Sequence, residues 1–363
     1  MNASRHYQAV VELPRTPLDI IGDVHGEADA LNALLAHLGY GPLGEHPEGR
    51  KPVFVGDLCD RGPDSPAVIA RVKSMVEAGN AICVMGNHEL NLLRGQRKDG
   101  NNWFWNEESA GDDKFGNVHC ISKDEQGPIL AFFAGLPLMA CSPELRVVHA
   151  AWVDASVQDL RSVSIDNLIG FFNAREAQTS AIMRAHPEFT NYLAEQETWR
   201  DRIADIDSRV PFLKRTAAMR ELRQMANPVR VLTSGVEASD TESFFSGGEW
   251  RFVQRVRWWD NYNDTIPVLI GHYWRNPQQD KASEISRGRE LFAGIAPFAW
   301  HGKKGNVFCL DYCVGARFLE RSGQLSKGQT RLAAMRWPER TLIFDDGSHS
   351  ATSGFQQSDT PGA

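Results

Sequence analysis

The sequence predicts an α/β fold interrupted by a run of helices. Three observations lead there. Short apolar runs alternate with helix-like segments over the first 150 residues. Each of the first three runs ends in a glycine followed by polar residues. From about 155 to 240 the strand pattern gives way to long amphipathic stretches of mixed charge.

The first strand is "LDII", short and apolar enough to be covered on both faces. Residues 27–38 place Leu31, Leu34, Leu35 and Leu38 at helical spacing. "PVFVG" is the second strand. "SPAVIARVKSMVEAGN" reads as a helix with Val68, Ile69, Val72 and Val76 on one face. Ser65 is its expected N-cap, with Pro66 at the first helical position. "AICVMG" is the third strand. The segments "DNLIGFFNAREAQTSAIMRAHPEF" and "AEQETWRDRIADIDSRVPFLKRTAAMRELRQM" carry helical periodicity with a solvated charged face, which predicts a helical insertion over 155–240. Strand patterns return at "TIPVLIGH", "NVFCLDYC", "TRLAAMRW" and "RTLIF". From Gly347 onward apolar content drops away, which predicts a disordered tail over 347–363.

Composition narrows the function. The 363 residues carry a formal charge of -7, so bulk positive charge does not recruit nucleic acid. Hydrophobic content of 42% and charged content of 23% are ordinary for a globular chain. "MNASRHYQAVVELPR" is too polar for a signal peptide, and no stretch reaches the ~18 apolar residues of a membrane span. The six cysteines (Cys59, Cys83, Cys120, Cys141, Cys309, Cys313) show no paired spacing. They read as reduced thiols of a cytoplasmic protein.

Five polar clusters follow five strand-like runs: Asp23 with His25; Asp57, Asp60 and Arg61; Asn87 with His88; His149; and His272. In open α/β sheets, sites form beyond the carboxyl ends of strands. Each cluster alone is weak evidence, since a single His after an apolar run is commonly a core histidine. Together they supply carboxylate, imidazole and amide oxygen, a donor set suited to Mn²⁺, Fe or Zn²⁺. Two such ions about 3.5–4 Å apart run in-line phosphoryl displacement.

"GDVHG", "GDLCDRG", "GNHE", "VVH" and "LIGH" together resemble the calcineurin-like metallophosphoesterases, and the uninterrupted "DRG" and "GNHE" resemble their phosphoprotein-phosphatase branch. The stretch from "HPEGRKPVFVGDLCDRG" to "VMGNHE" is similar to bacterial tetraphosphatase-like phosphatases and to the phosphatase domain of bacterial polynucleotide kinase-phosphatase. The resemblance implies a four-layer α/β/β/α sandwich of two central mixed sheets, one domain over 16–345 with the insertion inside it.

It also implies roles. Asp23 and His25 hold a first divalent metal, Asp57 bridges, and Asn87, His149 and His272 hold the second. Mn²⁺ is the expected pair, with Fe or Zn²⁺ as alternatives. A hydroxide between the metals is the implied nucleophile. His88 is the general acid, oriented by Asp60, and Arg61 clamps phosphoryl oxygens together with Asn87. A second arginine is expected upstream of His272. "RFVQRVRWWDNY" offers Arg251, Arg255 and Arg257, and Arg257 is favoured.

Where bacterial relatives often read "GHT", this chain has His272-Tyr273-Trp274. Asp311-Tyr312 stands where relatives tend to have Asp-Thr-Gly. Trp103, Trp105, Trp258 and Trp259 are read as core, or as stacking surfaces for a base. The implied substrate is a phosphate monoester, on a phosphoprotein or a small molecule. The alternative is a bis(5'-nucleosyl)-tetraphosphate or a related nucleotide phosphoanhydride. The intact Asp60–Arg61 pair favours the first, and the tetraphosphatase-like stretch favours the second. A non-catalytic scaffold is disfavoured because all six ligand positions and the acid are present.

Overall fold

The computed structural model describes residues 6–106, 112–246, 248–278 and 290–356. The chain opens with β1 (Val10–Glu12), β2 (Leu18–Ile21), α1 (Ala28–Leu38), β3 (Lys51–Phe54), α2 (Ser65–Glu77) and β4 (Ile82–Cys83). It continues through α3 (Asn87–Leu93), α4 (Asn102–Trp105), α5 (Lys123–Ala134), β5 (Met139–Cys141) and β6 (Arg146–Val148). Five helices follow: α6 (Asp154–Arg161), α7 (Leu168–Ala185), α8 (Phe189–Trp199), α9 (Lys214–Met225) and α10 (Pro228–Ser234). The hairpin β7 (Glu237–Ser246) and β8 (Glu249–Arg255) comes next. The chain closes with β9 (Val268–Ile270), β10 (Val307–Cys309), β11 (Ala333–Trp337), β12 (Thr341–Phe344) and β13 (His349–Ala351).

Two mixed sheets form the centre, one in the order β1-β5-β6-β9-β10 and the other β13-β12-β11-β2-β3-β4. Neighbouring residues of β2 show how both faces are used. Ile20 points into the layer between the sheets, where it joins Val53 and Met335 of its own sheet and Val147, Leu269 and Phe308 of the other. Ile21 points the opposite way, into the cluster with Leu34, Leu35, Val68 and Val72 of α1 and α2. Helices cover the outer face of the second sheet as well, with Leu160 and Val229 in the cluster that holds Val148 and Ile270. The result is the α/β/β/α layering.

What positions the site is strand direction. β2, β3 and β4 run parallel, with Ile21 opposite Phe54 and Phe54 opposite Cys83. β6, β9 and β10 run parallel in the other sheet. Three carboxyl ends of each sheet therefore open on a common edge.

Four expectations need correction. The N-cap of α2 is Asp64, whose side chain accepts from Ala67 N; Ser65 and Pro66 are already helical. The helical part of the insertion ends at Ser234, and the expected boundary at 240 falls inside β7. The sheets reach beyond 16–345, since β1 pairs with β5 and β13 pairs with β12. The expected tail from 347 is a strand at His349–Ala351, held by backbone pairing, and Phe355 beyond it packs against Trp300. Its remaining part, 357–363, lies outside the described residues.

Candidate active site

Each polar cluster sits on a strand end. Asp23 and His25 follow β2, Asp57, Asp60 and Arg61 follow β3, and Asn87 and His88 begin α3 after β4. His149 follows β6 and His272 follows β9. The backbone is wound tightly there: His25, Asp57, Asp60, Arg61 and His272 have φ of 48°, 49°, 75°, 71° and 67°. Side chains other than glycine rarely adopt this region, and each instance costs about 1–3 kcal/mol. A Cβ at Gly271 would overlap Asp23 Oδ1, so only glycine lets β9 end against that carboxylate.

Asp57 is the hub. Its Oδ2 lies 3.7 Å from His25 Nε2 and 3.8 Å from His88 Nε2, and its Oδ1 lies 3.4 Å from His149 Nε2. Ligand atoms of His25, Asp57 and His88 fall within 4.8 Å of one another, and so do those of Asp57, His149 and His272. Asp23 Oδ2 is 3.9 Å from His25 Nε2 and accepts from His272 N at 3.0 Å. Asn87 Oδ1 is 3.2 Å from His149 Nε2.

Two imidazoles have their orientation set from behind. His149 Nδ1 donates to Val55 O at 2.8 Å and His25 Nδ1 to Cys59 O at 3.1 Å. A carbonyl can only accept, so Nδ1 carries a proton and Nε2 is the nitrogen that faces the cluster, the orientation a metal ligand needs. His272 Nε2 is buried with no hydrogen-bond partner among the described residues.

Charge inside the cluster is unbalanced. Burial, and then the neighbouring Asp311, push the Asp23 carboxyl well above its ordinary range. Burial pushes Asp311 up to about 6, and its Oδ2 has no hydrogen-bond partner among the described residues. Asp57 is held well below the usual range, because the His149 and His88 imidazoles overcome the cost of its burial. His149 is pushed up to about 10 by Asp57 against its own burial. Burial, then Arg61 for His25 and Arg255 for His272, hold those two imidazoles neutral. Buried carboxylates beside imidazoles that turn Nε2 toward them fit divalent cations, and nitrogen and oxygen donors without thiolate fit Mn²⁺, Fe or Zn²⁺.

Beside the hub, His88 Nδ1 is 2.5 Å from Asp60 Oδ2. Arg61 spans two rings, with Nη1 3.2 Å from His25 Nε2 and Nη2 3.2 Å from His88 Nε2. The indole of Trp274 lies 5.4 Å from its guanidinium carbon. All of this opens into a cavity of about 620 Å³. The hairpin walls one side with Phe244, Arg251 and Arg255, and Arg97, Lys98 and Phe115 line another.

The expected second arginine is not where alternation placed it. Strand β8 ends at Arg255, and the chain turns into a 3₁₀ helix at Trp258. Arg257 therefore leaves the strand face and donates to Ala293 O at 2.8 Å. Arg255 lines the cavity instead.

Three residues have a place at the site that the sequence reading did not give them. Asp311 ends "VFCLD" in the same apolar-then-polar pattern as the other clusters. Glu89, buried at the third position of α3, accepts from Asp57 N, Leu58 N and Gly86 N at 2.9, 2.8 and 3.0 Å. The "E" of "GNHE", three residues after an N-cap glycine, was the available signal. Trp103 donates its indole N–H to Asp60 Oδ1 at 2.7 Å, and nothing in the sequence marks that contact.

The model of the calcineurin-like phosphoesterase family matches residues 16–201, just over half of the 363 residues. The chain belongs to that family. As a metallophosphoesterase it is a hydrolase; the family uses a dinuclear metal site, and this chain brings together two groups of candidate ligands. The matched span ends before His272 and Asp311, which the fold alone brings to the cluster. A bis(5'-nucleosyl)-tetraphosphatase (asymmetrical) of Halalkalibacterium halodurans is 51% identical over 80 residues, 21% of this chain and 32% of the relative. A symmetrical bis(5'-nucleosyl)-tetraphosphatase of Ralstonia nicotianae is 40% identical over 77 residues, 21% of this chain and 24% of the relative. The chain thus spans about a third of the length of the first of these curated relatives. A cold-active protein-tyrosine phosphatase of a psychrophilic Shewanella species is 14% identical across 96% of this chain and 84% of its own, with a TM-score of 0.41. Among the described residues no helix is long and apolar enough to cross a membrane.

Proposed function

We propose that the protein hydrolyses phosphate monoesters, on phosphoproteins or small molecules, at a site holding two divalent cations. Asp23 and His25 would hold one cation, Asn87, His149 and His272 the other, and Asp57 would serve both. When bound, the cations supply the positive charge that acidifies a water molecule and offsets phosphoryl oxygens. The residues do the rest. Arg61 presents its planar fork to two oxygens of the phosphoryl group, aided by the Asn87 amide. His88 delivers a proton from Nε2 to the leaving oxygen, while Asp60 supports the imidazolium form through Nδ1.

The His88–Asp60 pair carries this reading. An alkoxide is a poor leaving group and needs an acid, whereas a nucleotide leaving from an anhydride scarcely does. Mn²⁺ is the proposed metal. A reducing, cytoplasmic setting is proposed from the six free cysteines.

A second reading, hydrolysis of dinucleoside polyphosphates, draws on the names of the tetraphosphatase relatives and on a cavity much larger than a phosphoryl group. The test is a side-by-side assay of the Mn²⁺-loaded protein on p-nitrophenyl phosphate, phosphoserine and phosphotyrosine peptides, and diadenosine tetraphosphate. A preference of about tenfold or more in kcat/KM for the monoesters supports the first reading. The reverse preference replaces it with the second.

A further inference from the structure

We infer that Trp103 is a positioning residue for catalysis: its indole N–H locks the Asp60 carboxylate that aims His88 at the leaving group. This rests on the monoester reading above. Asp60 is fully buried, and each of its oxygens has one side-chain partner, His88 Nδ1 at 2.5 Å on Oδ2 and Trp103 Nε1 at 2.7 Å on Oδ1. Its backbone N donates to Ser65 Oγ at 2.9 Å. A carboxylate held only by the imidazole can rotate about its Cβ–Cγ bond and carry the ring with it. A carboxylate bonded at both oxygens has its plane fixed, and the imidazole inherits that plane.

The indole suits this task. Its N–H can only donate, so it cannot exchange roles with the acid. It is itself rigid, with 1% of its surface exposed, and its ring lies against Phe104 at 5.5 Å in an edge-to-face contact. The backbone carbonyl of Trp103 accepts from Ile121 N at 2.9 Å, which ties α4 to the chain entering α5. A phenylalanine keeps one aromatic ring but cannot donate to Asp60, and the cavity it leaves affects both substrates alike.

The experiment compares two esters in the Mn²⁺-loaded full chain. p-Nitrophenol leaves without much help, whereas phenol needs a proton. Trp103→Phe is expected to lower kcat/KM for phenyl phosphate about tenfold more than for p-nitrophenyl phosphate. The ratio of the two is independent of how much of the variant is folded. In an Asp60→Asn background the same substitution is expected to leave the ratio unchanged. Equal loss on both esters overturns the positioning role and leaves the monoester reading standing. If the wild-type protein cleaves neither ester, that reading falls and the proposal with it.

A second readout needs no turnover. In the metal-free full chain, the indole N–H resonance that disappears in Trp103→Phe is expected to shift upfield in Asp60→Asn, because a charged acceptor is lost. A resonance that stays in place overturns the contact itself.

Discussion

Asp23 and Glu176 are both acids enclosed by protein, in opposite circumstances. Asp23 stands at the end of β2 with another acid, Asp311, beside it. Its side chain accepts the backbone N–H of His272, and its carboxyl is pushed up by burial. Glu176 stands in the middle of α7, where Arg230 and Arg223 each reach it and Asn227 Nδ2 donates at 3.0 Å. Those partners overcome the cost of its partial burial and bring it down to about 2. One acid is left short of positive charge and the other is saturated with it. The strand-end cluster is thus assembled at a cost to the fold, with strained backbone and with uncompensated charge that a cation would offset. The insertion uses charge in the ordinary way, to hold helices together. Glu176 joins α7 to α10, and Arg94 after α3 stacks on Phe172 of α7 at 4.2 Å, so this structural network ends against the helix that carries Asn87 and His88.

The largest effect belongs to the shared carboxylate. Asp57→Asn keeps shape but removes the charge that both ligand groups share. Its kcat/KM is expected to fall at least a thousandfold, about 4 kcal/mol of lost transition-state stabilisation. Mn²⁺ at about a hundred times its dissociation constant is expected to raise wild-type stability by ~2.7 kcal/mol, and the rise should vanish in Asp57→Asn. Glu176→Gln should keep the full metal response. Melting curves with and without a chelator decide it. A metal response in Asp57→Asn as large as in wild type would erase the distinction between the two regions.

Glu89 comes next. It lies outside the ligand groups, yet three backbone N–H groups of the two ligand loops converge on it. Glu89→Gln exchanges one acceptor oxygen for a donor aimed at those same N–H groups. We expect Mn²⁺ affinity to weaken about 10- to 100-fold, the range for groups that hold ligands in place. Metal titration followed by calorimetry reads this directly. Unchanged affinity would show that the strain in the Asp57 loop is held by the sheet alone.

The contrast between the regions also explains what the sequence made legible. Parallel strands covered on both faces must be apolar throughout, so "LDII", "PVFVG" and "VLIGH" announce themselves, and polar residues after them stand out. Asp23, His25, Asp57, His149 and His272 were legible for that reason. The hairpin was not, because "EASDTESFFS" is half-exposed, shows no clean alternation, and pairs with a register shift between Ser239 and Phe244. Alternation along an assumed strand put Arg255 and Arg257 on one face, and the sequence does not show that β8 ends at Arg255. β13 was missed because backbone pairing holds it, and its side chains are polar. Trp103 was visible as a residue but not as a partner of Asp60, since the two lie 43 positions apart and only the fold brings them together.

The smallest expected effect is the sharpest test of the comparison, because it predicts opposite signs from the same chemical change. In the metal-free protein, Asp23→Asn removes an acid whose charged form burial and Asp311 disfavour, and Asn Oδ1 can still accept from His272 N. Stability is expected to rise by about 1 kcal/mol. Glu176→Gln removes an acceptor that three side chains use, and stability is expected to fall by about 1 kcal/mol. That is less than the full shift implies, since Arg223 is 56% exposed and water screens its share. The pH dependence follows the same logic. Glu176 is held below its ordinary value of 4.5, so its contribution is complete above that value and drains away as pH falls toward about 2. Wild type and Glu176→Gln should therefore differ at pH 6 and converge across this acid window. Denaturant melts at a series of pH values would show it. A difference that persists to the bottom of the window would mean that Glu176 acts through packing, and that the insertion is held by its apolar contacts alone.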